Sequence, residues 1–355
     1  MKRLATPLAA SLCTLAFAAG GAGAETMKLT VVAAAPPAVT YVKASKDKLL
    51  PEITRRLAES GKDFKIEWTE AYSQTLATFN EVFEAVESGI GHVGLVLKNF
   101  EEAKLPLEQV PYMAPFLGHT GRQMIGVDAN LHAKIPELKA AYEKNGQVWL
   151  TSGGNTSMHL FTTFPVVKVD DLKGKKIGAS GAMGHWLRGT GAVTVTASML
   201  QSYTDIKNGV YDGYPISVVL SFPYKTYEAA PHFTKVGFGV SATSALTVHK
   251  ATWQKLPQHA RDIFTDVAKN WAGWQLDIDE ANDKTWSEMM TKKGMKTAEF
   301  APAERQRWAM QMPNIAKEWA DALEKDGQPG RKVLTTYMDE VRALGVPIAR
   351  HWDRE

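Results

Sequence analysis

The 355-residue chain is poor in cysteine, in excess charge of either sign and in long apolar runs, and each shortage removes a class of function. Its one cysteine, Cys13, falls within the first 24 residues, so the rest of the chain has no disulfide, thiol nucleophile or thiolate metal site. Lys and Arg number 41 against 38 Asp and Glu, a formal charge of +3 of which Lys2 and Arg3 carry two. With no basic run either, nucleic acid is not an expected partner. Beyond the N-terminal run, no apolar stretch approaches the roughly 20 residues that span a bilayer.

Catalytic signatures are missing as well. There is no G-x-S-x-G elbow and no H-E-x-x-H, and the nine histidines never pair at metal-ligand spacing. The glycine loop "GASGAMG", Gly178–Gly184, lacks the Lys-Ser/Thr of a phosphate loop and the downstream acid of a dinucleotide site. The expectation is a protein without enzymatic turnover, cofactor or metal.

The N-terminus reads as a secretory leader. Lys2 and Arg3 precede the apolar run "LATPLAASLCTLAFAA", and "AGA" before Glu25 is a small-residue cleavage pattern, so residues 1–24 are expected to be removed after Ala24. Leu12 stands before Cys13 where a lipoprotein signal wants a small residue, so no lipid is expected. Export to the periplasm follows. A chain of about 330 residues without disulfides must then rely on its apolar core.

From Glu25 the apolar pattern alternates between two kinds. "MKLTVVAAAPP" is a strand running into a small-residue loop, and a helix follows, interrupted or started afresh near Pro51. "DFKIEWTEA" alternates as a strand; Leu76, Phe79, Val82, Phe83 and Val86 recur at helical spacing; "HVGLVL" is a buried strand. Such alternation predicts a parallel α/β unit, residues 25–150. A second unit, 151–238, repeats it with strands "SMHLFTTFPV", "KKIGAS" and "AVTVTA" and helices over "GAMGHWLRGTG" and "SMLQSYTDIKNG". Then "TKVGFGVSATSALTVHK" is long enough to run from one unit to the other. In the remainder of 239–355, Ile263, Phe264, Val267, Trp271, Trp274 and Ile278 mark one long amphipathic helix, with further helices behind it. The fold class is α/β and bilobal, with a ligand cleft at the carboxyl ends of the strands.

Five segments, in order, resemble the DctP-type periplasmic solute receptors of TRAP transporters. They are "VFEAVESGIGHVGLV", "PYMAPFL", "FPVVKVDDLKGKKI", "SYTDIKNGVYDGYP" and "ATWQKLPQHARDIFTDVAKNWA". The resemblance implies a periplasmic-binding-protein fold with a long helix across the back of two lobes. It implies an organic-acid ligand and, as partners, the small and large membrane subunits of a permease; the receptor itself is expected to be monomeric.

The family arginine that grips the ligand carboxylate corresponds here to Gly178. Other family contacts fall on Met158 (beside His159), Gly181, Met199, Ile216 (after Tyr214 and Pro215) and Leu97 (before Lys98 and Asn99). The polar set is thus exchanged for small and apolar residues, and Gly178 is expected to make room for a larger, less polar ligand. Two readings stay open. In one, a monocarboxylate with an apolar or aromatic part is held by Lys98, His159 or the backbone N–H groups of Ala179–Gly181. In the other, the ligand has no carboxylate. Tyr72 is a further candidate as a phenol facing the cleft, whereas Arg188 is expected to face solvent.

Overall fold

The computed structural model describes residues 25–241 and 243–355. The proposed leader and Cys13 lie outside them. Among the described residues no helix is long and apolar enough to cross a membrane.

Among the described residues, eleven strands form two sheets. The first holds β1 (Glu25–Val32), β2 (Phe64–Ala71), β3 (Val93–Leu97), β4 (Gln147–Gly153) and β10 (Ser244–His249), in the order β2-β1-β3-β10-β4. The second holds β5 (Met158–Thr162), β6 (Lys176–Ala179), β7 (Val193–Thr196), β8 (Gly213–Ile216), β9 (His232–Gly239) and β11 (Lys296–Glu299), in the order β11-β9-β5-β8-β6-β7. β1 is parallel to β2 and β3, as strand–helix alternation requires, but β10 is antiparallel to both β3 and β4. The chain crosses between sheets after β4 and again between β9 and β10. The period-2 pattern of "DFKIEWTEA" has its physical cause in β2: Phe64 and Ile66 are buried while Lys65 and Glu67 face water.

Near Pro51 a new helix starts, one of the two readings there: the chain passes from Thr40–Ala44 through a π-turn, Ser45–Leu49, into Leu50–Glu59. The widened turn places Pro51 at a helix start, where its missing N–H costs nothing. Helix boundaries differ from the sequence expectation in three places. The helix expected from Leu76 is confined to Val82–Glu87, because Ser73 and Gln74 take left-handed φ values of 57° and 60° and the chain turns there. "GAMGHWL" is a 3-10 run rather than an α-helix, as its glycines disfavour regular helix. The long amphipathic segment is two helices, Gln258–Ala268 and Trp271–Lys292, separated at Lys269–Asn270.

Trp271–Lys292 has 22 residues, about 33 Å at 1.5 Å per residue, enough to reach from one lobe to the other. At one end Trp271 is buried in the first lobe with Val31, Leu95, Val248 and Phe264, and its indole N–H donates to Ser45 Oγ at 2.8 Å. At the other, Trp286 stacks on Phe222 at 4.9 Å and Met290 is buried in the second lobe. A second tie lies opposite. Trp186 Nε1 donates to the Tyr112 carbonyl, Trp308 Nε1 to the Trp186 carbonyl, and Phe116 and Phe238 pack on Trp308.

Trp308 is fully buried at this junction. Trp308→Ala is therefore expected to cost about 3–5 kcal/mol through the cavity left behind. Urea unfolding would check it; a loss below about 1 kcal/mol would show that the aromatic tie is dispensable.

Candidate functional site

A partly open cavity of about 70 Å3 lies between the two sheets. The first lobe supplies Thr40 and Tyr41, which follow the small-residue loop after β1, and Leu97, Asn99 and Phe100 at the end of β3. Strand ends in α/β sheets lack the helices that cover their faces, so these positions open onto the gap. The second lobe supplies Met158, Ser180, Met183 and Met199. Tyr224 and Leu220 close one side, Tyr112 and Asn155 another, and the long helix contributes Gln275 and Asp279. Because that helix is anchored at Trp271 and Trp286, the turns between must pass the cleft, and steps of four residues bring Gln275 and Asp279 onto the Trp271 face.

Phe79, Asn99, Phe100 and Ser180 also line a wider recess of about 600 Å3 and so form the wall between cavity and exterior. The lobes meet there. A Cβ on Gly181, whose φ is +48°, would stand 2.6 Å from the Asn99 carbonyl oxygen, so only glycine permits this approach.

Lysine, arginine and histidine are absent from the described residues lining the cavity. Its one ionisable acid is Asp279, 3 % exposed. Burial pushes the Asp279 pKa up to about 7; a hydrogen bond with the Thr40 side chain opposes the rise, and Asp283 and Glu280 add to it. Asp279 Oδ1, Gln275 Nε2 and the Tyr224 hydroxyl have no hydrogen-bond partner. Gly153 helps to place the amide: a Cβ there would lie 2.4 Å from Gln275 Oε1.

Of the residues singled out from the sequence, Leu97, Asn99, Met158 and Met199 line the cavity and Gly181 lines the outer recess. The rest do not. Lys98 is 1 % exposed and its ammonium is held by Glu108 at 2.7 Å, Asp128 at 3.1 Å and Ser152 Oγ at 3.0 Å. His132 completes this group, 2.8 Å from Glu108 and 3.3 Å from Asp128, with its ring stacked on Trp149 at 4.0 Å. Two cations and two anions balance, so Lys98 has no charge to offer a ligand. His159 accepts from the Gly237 N–H and stands edge-on to Phe233. Burial, with Arg305 and Lys235 nearby, lowers its pKa to about 4, so it is neutral and turned away from the cavity.

Gly178 does not make room for a ligand. A Cβ there would lie 2.7–2.9 Å from three atoms of the Tyr211 ring, which occupies the space an arginine would need. Tyr72 is buried in the first-lobe core; Ala179, Tyr214, Pro215 and Ile216 are buried in the second lobe, with Tyr214 hydrogen-bonded to Ser180. Arg188 pairs with Glu318 at 2.6 Å on the surface. The sequence reading missed Thr40, Tyr41, Tyr224, Gln275 and Asp279. The signal available for the last two was a glutamine and an aspartate on the buried stripe of an otherwise apolar helix face.

Two α/β lobes that enclose a cavity, bridged by one long helix, define a bilobal ligand receptor. The chain belongs to the bacterial extracellular solute-binding proteins of family 7, the DctP family, whose model matches residues 56–322. That is the family the five segments resemble. A curated relative from Albidiferax ferrireducens, described as a solute-binding protein, is 26 % identical over 178 residues, 48 % of this chain; the chain spans about half, 52 %, of that relative's length. Among solved structures, a TRAP periplasmic solute-binding protein of Chromohalobacter salexigens with bound D-glucuronate superposes with TM-score 0.76 at 18 % identity, covering 88 % of this chain and 99 % of that one. A Bordetella pertussis extracytoplasmic solute receptor that binds pyroglutamic acid gives 0.73 at 20 % identity, covering 88 % and 100 %. The fold is theirs.

Four variants test these assignments. Gly178→Ala should destabilise by about 1–3 kcal/mol through overpacking against Tyr211, and Gly178→Arg by more, without creating a carboxylate site. Soluble, stable Gly178→Arg protein that gains affinity for small acids would contradict this. Lys98→Met strands two buried carboxylates and should cost about 3–5 kcal/mol in thermal or urea unfolding. In the same cluster, burial opposes the His132 charge, but Glu108 and Asp128 outweigh it and raise its pKa from 6.5 to about 10. The folded state then binds the extra proton between those values, so the His132 contribution is complete below pH 6.5 and is lost as pH rises through about 10. Unfolding free energy measured across that window should fall for the parent protein, and a His132→Gln variant should show a flatter profile.

Proposed function

We propose that this protein is the periplasmic receptor of a TRAP-type transporter, carrying one small solute with an apolar body between its lobes to a membrane permease of small and large subunits. Export with removal of residues 1–24 and no lipid on Cys13 belongs to the same reading. The observation that carries it is the interlobe cavity, walled by both lobes and by the helix that bridges them. Met158, Met183, Met199 and Leu220 give its walls an apolar character.

The cavity favours a ligand without a carboxylate over the organic acid that the family resemblance suggests. An ionised carboxylate buried without a cationic or well-donating partner costs several kcal/mol. Here Lys98 and His159 are both committed elsewhere, and Asp279 would add repulsion.

Thermal-shift measurements on the mature protein check both points. The panel should hold lactate, pyruvate, malate, succinate, pyroglutamate, glucuronate and branched and aromatic acids beside uncharged and basic solutes. Saturable one-to-one stabilisation by a member lacking a carboxylate is expected, about 2.7 kcal/mol at a hundredfold excess over Kd. Preferential stabilisation by an acid would refute the charge argument, and no stabilisation by any small solute would refute the receptor reading.

A further inference from the structure

We propose that the cleft selects a small organic ammonium ion bearing an adjacent oxygen, of amino-alcohol size, with the Asp279 carboxylate as its counter-charge and the rings of Tyr41, Phe79, Tyr112 and Tyr224 around it. This rests on reading the cavity as the solute site and names the class of solute.

Three observations converge on it. First, among the described residues the only charged group facing the cavity is acidic. Thr40 from the first-lobe helix, the phenols of Tyr41 and Tyr224, and Asp283 and Glu280 on its own helix are the groups facing or influencing Asp279; none is cationic. A cation beside Asp279 would relieve the cost of burying that charge.

Second, the unsatisfied atoms form a pattern. Asp279 Oδ1 is a free acceptor, 3 % exposed as a residue, while Gln275 Nε2, on a residue only 1 % exposed, is a free donor one helical turn away. Buried polar atoms are normally paired, so these ask for a ligand with a donor ammonium and an acceptor oxygen a few atoms apart. The free Tyr224 hydroxyl can serve either end.

Third, the walls suit a cation. Aromatic rings attract ammonium groups through their negative faces, and the attraction grows when water is excluded. Phe79 and Phe100 lie against each other at 5.6 Å at the wall toward the outer recess, on the exit side of the cavity. An anionic ligand could be accepted instead only by sharing a proton with Asp279, which makes the opposite pH dependence.

Isothermal titration calorimetry decides the matter with ethanolamine, dimethylaminoethanol and choline, the uncharged isostere 3,3-dimethylbutan-1-ol and the anion 3,3-dimethylbutanoate. At least one amine should bind about tenfold or more tighter than the uncharged isostere. Asp279→Asn should weaken that amine about 10–100-fold while leaving the isostere unchanged. The same variant should melt no lower than the parent, since it removes a buried charge, and this shows that any loss is not misfolding. Choline keeps its charge at every pH, so its affinity should rise from about pH 5.5 to 8 as Asp279 ionises, and the dependence should vanish in Asp279→Asn. Equal or tighter binding of the isostere or the anion overturns the inference, as does tighter binding at low pH. Silence of all three amines up to about 10 mM, while another solute stabilises the protein, overturns it and leaves the receptor reading standing. Silence of every solute removes both.

Discussion

The buried group Lys98, Glu108, Asp128 and His132 is the interaction on which the first lobe's side of the cleft depends. It joins the end of β3, the turn at Pro106–Gln109, the helix Gly121–Lys134 and, through Ser152, the end of β4. Each ion alone would be prohibitive to bury; together they neutralise one another, and the stacked Trp149 keeps water from His132. The network fixes where Asn99 and Phe100 stand, because they follow Lys98 directly. It also removes from the cleft the lysine that sits closest to it in sequence.

The second constraint is the bridging helix. A ligand-driven hinge needs a rigid element shared by both lobes, and Trp271–Lys292 is anchored by tryptophans at points 15 residues apart. Any residue on the Trp271 face between those anchors must look into the gap. Gln275 and Asp279 occupy that face, so a polar pair has replaced what would be apolar core on an ordinary helix. The lobes touch through Gly181 and Asn99, where a side chain would hold them apart.

Much of the fold was legible because alternation of periods 2 and 3.6 reflects burial directly, and because five segments of one family occur in order. The crossing segment and the two lobes could be read from such patterns. Side-chain roles could not. In a strand a shift of one residue exchanges faces, so Met158 reaches the cavity while the adjacent His159 turns to Phe233. The partners that neutralise Lys98 lie 10 and 30 residues away, and nothing local announces them. From sequence Gly178 is space for a ligand, but the ring that fills the space belongs to Tyr211, on the approach to β8. Pattern reports which side of an element is buried, not what buries it.

The same limitation bears on the charge of the site. From sequence, Lys98, His159 and the Ala179–Gly181 backbone are the candidates to hold a carboxylate in place of the arginine implied at position 178, beside the reading in which the ligand has none. Both side chains are accounted for within their own lobes. With Tyr211 packed against Gly178, that position admits no side chain, so the absence of a cation is built into the second lobe's core rather than compensated nearby. A cavity so deprived disfavours an anion, and an unpaired carboxylate from the bridging helix would be a pure cost if it stayed empty-handed. The two features make sense together. Removing the cation from one wall and placing Asp279 on another reverses the electrostatic preference of the cleft while leaving both lobes and the helix between them intact.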